Sequence, residues 1–133
     1  MMLITEATTT TTNERILKLF NYFVNKYAEY YIKLNEANRD MPENYKKKIS
    51  EYYSKMNKYD RYLERIIPMM NEEIIIHMDI YICNCLKIWI NESLPINVAQ
   101  KLILISQKTN EMILRANPEY KLRYIYIDEL MLN

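Results

Sequence analysis

Apolar residues recur at alternating intervals of four and three along two successive stretches of the chain. The first set is Ile16, Phe20, Phe23, Tyr27, Tyr30, Leu34 and Ala37, and the second is Tyr45, Ile49, Tyr52, Met56, Tyr59, Leu63 and Ile66. This heptad spacing places each set on one side of an α-helix and predicts that the two helices zip together. Leu17, Val24 and Tyr31 widen the first stripe toward a bundle-type face. Thr11-Thr12-Asn13-Glu14 reads as a capping box that starts the first helix. Asp40-Met41-Pro42-Glu43 reads as a second box, with proline in the first turn. Two such helices joined by a short loop predict an αα-hairpin over 14–67.

Pro68 ends the second helix, and a third is expected from Asn71 to Ser93, with Glu72 and Glu73 at its positive end. Ile75, Met78, Ile82, Cys85 and Trp89 form one stripe of it, while Ile74, Tyr81, Ile88 and Ile90 cover other sides. A helix apolar on most sides is expected to be central and buried. The alternation Ile74, Ile76, Met78, Ile80, Ile82 also allows a strand, but the length and the lack of turn residues favour a helix. A fourth helix is expected over 95–116, stopped by Asn117-Pro118. The expected fold is therefore all-α, an antiparallel four-helix bundle over 13–117. An N-terminal arm over 1–12 precedes it and a segment over 118–133, a short helix or an extended arm, follows.

Composition supports this picture and narrows the chemistry. None of the 133 residues is glycine, where average usage gives roughly nine. Gly-rich phosphate loops, nucleophile elbows and tight hairpins all draw on glycine, so those classes drop out. Half of the residues are apolar, which argues against disorder. The net charge is +1, too small for a molecule that binds polyanions over its whole surface. Residues 1–12 lack the basic and long apolar regions of a secretory leader. The most apolar stretch, 74–90, carries His77, Asp79, Asn84 and Lys87, so no transmembrane span is expected.

Candidate chemistry is sparse. His77 is the one histidine, and Asp79, two residues on, points elsewhere on a helix. Cys83 and Cys85 stand roughly 200° apart around a helix and cannot clasp one metal together. No Glu-x-x-His motif of a di-metal bundle occurs. The carboxylates sit beside lysine or arginine, as in the pair Glu29–Lys33, and read as a solvated surface. No catalytic site, cofactor, metal or small-molecule substrate is expected. Two features point to binding. Lys47, Lys58, Arg61 and Arg65 fall opposite the second helix's apolar seam, weakened by Glu43 and Glu51, and Arg15, Lys18, Lys26 and Lys33 make a second basic line on the first helix. Such stripes can follow a phosphate backbone without reading sequence. Of these, Lys47, Lys58, Arg61, Arg65, Lys18 and Lys26 are the expected nucleic-acid or lumen-facing residues. The thirteen tyrosines often come in neighbouring pairs, of which one member can face outward as a contact anchor. Tyr31, Tyr53, Tyr62 and Tyr126 are the expected subunit contacts, with the apolar tip Met1, Met2, Leu3 and Ile4.

The heptad hairpin 14–67, completed by helices 71–93 and 95–116 in a glycine-free chain rich in Tyr, Ile and Lys, resembles small proteins of archaeal viruses. It is similar in kind to the coat proteins of large spindle-shaped, bicaudavirus-like virions, which are compact four-helix bundles. The resemblance implies a virion coat protein, present in the host cytoplasm before assembly. Many copies would self-assemble into a helical shell around the viral genome and contact viral DNA through its backbone. A related protein of that family inhibits host RNA polymerase. The alternative it implies is a small regulator that binds a host complex, polymerase or defence machinery.

Overall fold

The computed structural model describes residues 2–122 of the chain, and side chains from Thr12 to Leu122. Four helices follow one another: α1 Met2–Asp40, α2 Tyr45–Ile66, α3 Glu72–Asn91 and α4 Ile96–Ala116. A 3-10 turn over Ile67–Met69, built around Pro68, separates α2 from α3. The chain is all-α, with no strand among the described residues, so the strand reading of 74–82 is set aside.

α1 is the hub. At about 1.5 Å per residue its 39 residues span roughly 58 Å, and α2, α3 and α4 all pack on it. It has two apolar sides. Phe23 and Tyr30 belong to the side that meets α2, where Phe23 packs on Tyr59 and Tyr62, and Tyr30 on Tyr52 and Tyr59, while Tyr27 lies beside Leu104 and Lys108 of α4. Partner numbers on α2 fall from 62 to 52 as those on α1 rise from 23 to 30. The other side is Ile16, Phe20, Val24 and Ala28, all buried at i, i+4 spacing. Val24 and Ala28 are fully enclosed, and a small alanine lets a neighbouring helix approach closely. Leu63 and Ile66 of α2, Ile74, Met78 and Ile82 of α3, and Ile105, Met112 and Ile113 of α4 complete the core.

Three expectations are corrected. Residues 2–12 of the expected arm are helical, because α1 already begins at Met2. Neither glycine nor proline interrupts the chain before Pro42. Each threonine of 8–12 lowers helix propensity by no more than roughly 0.7 kcal/mol, which does not stop a helix under way. Thr11–Glu14 consequently lies inside α1 and caps nothing. Asn13 is instead buried, donating to Glu73 Oε2 (2.8 Å) and accepting from Asn71 Nδ2 (2.9 Å). The second capping box also fails. Asp40 pairs with Arg39, the Pro42 carbonyl accepts from Tyr45 N, and α2 starts after Asn44 in the left-handed region (φ 65°). The third correction concerns α3, which buries one side, Ile74, Ile75, Met78, Ile82 and Cys85, whereas Ile80, Ile88, Trp89 and Ile90 are exposed.

Other boundaries follow their signals. Asn71 Oδ1 accepts from Ile74 N (3.0 Å) at the start of α3, and Asn117-Pro118 ends α4. Beyond it Tyr120 Oη donates to the fully buried Asp79 (2.7 Å) and Leu122 is buried. The helix-or-arm alternative for the remaining tail lies outside the described residues.

Candidate nucleic-acid and subunit interfaces

The α1–α2 seam carries a ladder of rings, with a cation seated over each step. Tyr22 and Phe23 meet Tyr59 at 6.2 Å, and Tyr30 stacks on Tyr59 with the ring planes 8° apart. Lys26 lies over Tyr22, Lys33 over Tyr30 and Tyr52, and Lys55 over Tyr30 from the opposite helix. Lys58 covers Tyr59 and Tyr62, and Arg65 covers Tyr62. All these heads lie 5.2–6.0 Å from the ring centroids, within the range of cation–π attraction. Three carboxylates stand among them: Glu29, bonded by Lys26 (3.3 Å) and Lys33 (3.2 Å), Glu51, beside Lys55 (3.6 Å), and Glu36, which lines one concavity with Lys33 and Tyr52. Burial pushes Glu29 up, but the hydrogen bonds from Lys33 and Lys26 outweigh it and leave its carboxyl below the usual range. The bond to Glu29 raises Lys26, and a bond to Tyr30 together with its field raises Lys55, so both stay cationic.

The heptad reading found this seam, since Tyr30, Tyr52 and Tyr59 are heptad positions. It did not find which cations gather there. Lys58 and Arg65 converge on Tyr62 beside the seam, and Lys26 of α1 lies over Tyr22. Arg61 instead lines a separate concavity with Asp60 and Glu64. Lys47 and Lys18 are exposed. In the sequence Lys33 belongs to the basic line of α1 and Lys55 to the many basic residues of α2, and the signal that links them is their alternation with Tyr30 and Tyr52 across the two helices.

A different surface lies where α3 ends and α4 begins. Ile88, Trp89, Ile90, Ile96 and Val98 are all exposed, Ile96 to 73% and Trp89 to 43%. Trp89 also walls a groove of about 300 Å³ between the two helices, lined by Ile82, Leu86, Ile103, Ser106, Gln107 and Asn110. Large exposed apolar patches mark contact sites in soluble proteins. Three consecutive apolar residues on a helix sweep about 200°, so Ile88–Ile90 cannot all face one core. That signal was present in the sequence.

The expected subunit contacts are scattered. Tyr53 is exposed on α2. Tyr31 is half-buried in the groove between α1 and α4, beside Ile32, Asn35, Gln100, Ile103 and Leu104. Tyr62 is half-buried, 5.0 Å from Phe23. Met1 and Tyr126 lie outside the described residues, as do the side chains of Met2, Leu3 and Ile4. His77 is exposed, and Cys83 and Cys85 are buried thiols. Burial raises the Cys85 thiol against a smaller opposing bond with Tyr81, which suits a small apolar filler more than a nucleophile. Among the described residues no three His, Cys, Asp or Glu side chains gather as metal ligands would, and no helix is long and apolar enough to cross a membrane.

Inside the body, Lys108 of α4 is almost fully buried and ion-paired with Asp60 of α2, with Glu111 at 3.4 Å and its head over Tyr27. Burial lowers its affinity for a proton, but the bond to Asp60 outweighs that and raises it. The cluster joins α1, α2 and α4 and reads as a structural tie. Comparison with protein-family models, with characterised proteins and with solved structures gives no match.

Proposed function

We propose that this chain is a structural subunit that self-assembles in many copies, as the coat protein of a virion does around its genome. The observation that carries the reading is the exposed apolar end formed by Ile88, Trp89, Ile90, Ile96 and Val98. Leaving such side chains in water forfeits about 25 cal/mol per Å² that burial against a second surface would return. That gain is available to every copy at any concentration sufficient for encounter. Two copies joined through the same end would form a closed pair, whereas contact between this end and a different surface would propagate into a shell or filament. The small net charge supports dense packing, because neighbouring copies repel weakly.

Electron microscopy and sedimentation of the purified protein test this. Regular particles or filaments of many copies are the expected result. A monomer at every concentration, isolated together with a host complex, would contradict it and favour the stoichiometric inhibitor.

A further inference from the structure

We infer that the α1–α2 face bearing Lys26, Lys33, Lys55, Lys58 and Arg65 binds the phosphate backbone of double-stranded nucleic acid without reading its sequence. The inference deepens the structural-subunit reading by naming the face that meets the enclosed genome, and rests on it for that role.

Charge is the first argument. Five cations share this face with three carboxylates, Glu29, Glu36 and Glu51, while the whole chain carries only +1. The basic character is therefore a local asymmetry, which the rest of the molecule offsets. Polyanions are the partners such a face complements.

Placement is the second. The cations come from both helices and cross over the seam between them, Lys33 reaching Tyr52 of α2 and Lys55 reaching Tyr30 of α1. Lys26 and Lys33 are about 10 Å apart along α1, as are Lys58 and Arg65 along α2. The face is thus an extended track more than a point. The core sides of α1 and α2 turn toward α3 and α4, which leaves the track open to solvent; the Lys33 and Lys55 side chains are 43% and 46% exposed.

The rings decide between duplex and single strand. Single strands are held by stacking bases on free aromatic faces. Here Tyr30, Tyr59 and Tyr62 are spent on one another and on Phe23, with cations over them. The tyrosines position point charges, which suits backbone contact.

Binding of a 30-base-pair duplex, measured across salt by fluorescence anisotropy at protein concentrations below assembly, tests the inference. Affinity should fall on the order of a hundredfold between 50 and 200 mM salt. Lys55→Gln/Lys58→Gln should lower affinity at least about tenfold and flatten the salt slope by about two. The charge-matched Lys46→Gln/Lys121→Gln, at exposed positions away from the track, should change affinity less than about twofold. Circular dichroism checks that both variants fold. Equal losses in the two variants, no duplex binding, or tighter binding of the single strand than of the duplex would each overturn the inference. Sedimentation of the same samples keeps the two claims apart. A monomer that binds duplex through this face leaves the inference standing without the assembly, and assemblies that ignore duplex do the reverse.

Discussion

Two buried polar contacts hold separate parts of the body in register, and each has a measurable consequence. The Tyr120 hydroxyl donates to Asp79, which has no solvent exposure. Removing the donor of a buried acceptor costs about 1–3 kcal/mol. Tyr120→Phe is expected to lower unfolding free energy by that amount in urea denaturation, and a loss below about 0.5 kcal/mol would show that the contact contributes little. The second is Lys108 with Asp60. Removing one partner of a buried pair costs about 3–5 kcal/mol. Asp60 retains 31% exposure, so solvent screens the remaining charge, and Lys108→Met should cost about 2–3 kcal/mol. Its pH signature follows from the raised pKa. A lysine held above its ordinary 10.5 contributes fully below that pH, and the contribution fades as pH climbs through the raised value. Tyr27 beside it is raised chiefly by burial and loses stability in the same direction above 10.0. The comparison is therefore made in a Tyr27→Phe background. There the Tm difference that Lys108→Met produces should hold from pH 7 to about 10 and narrow beyond 10.5. A difference that stays constant to about pH 11.5 would contradict the assignment.

At the level of elements, the α1–α2 hairpin was legible because seven-residue apolar spacing survives any details of packing: each heptad position from Ile16 to Ile66 with a described side chain is buried or half-buried. Helix ends were less legible. Capping boxes are local patterns that a longer helix overrides, as α1 does at Thr11–Glu14, where Asn13 turns to α3 instead. The loop between α1 and α2 shows what a chain without glycine must do. Met41 takes φ 46° and Asn44 takes φ 65°, both in the left-handed region. Asparagine tolerates it, but methionine carries a penalty of about 1 kcal/mol. Met41 is 59% exposed and so has few contacts to lose. Met41→Gly is expected to raise stability by about 0.5–1 kcal/mol, read as a higher urea midpoint; a lower midpoint would show that the side chain holds the loop.

Taken whole, the molecule separates two chemistries, a ring-backed basic track along α1 and α2 and an apolar end on α3 and α4. The first was half visible in the sequence. Lysines and tyrosines at helical spacing can be placed on a side, but which cations lean over which rings depends on how two helices meet. That is why Arg61 is among the expected nucleic-acid-facing residues and Lys33 and Lys55 are not. The apolar end was missed for a different reason. An apolar α3 looked central, yet burial depends on which neighbours a helix obtains, and α1 took the central place. The apolar side chains left exposed at the end of α3 are then surplus to the fold.

Trp89 stands within that end and is the chain's single tryptophan, so its emission reports directly on the surface in question. As the protein is concentrated into assemblies, the emission should shift to the blue and become shielded from iodide. An emission maximum and iodide quenching that stay unchanged while sedimentation shows large particles would contradict the central claim.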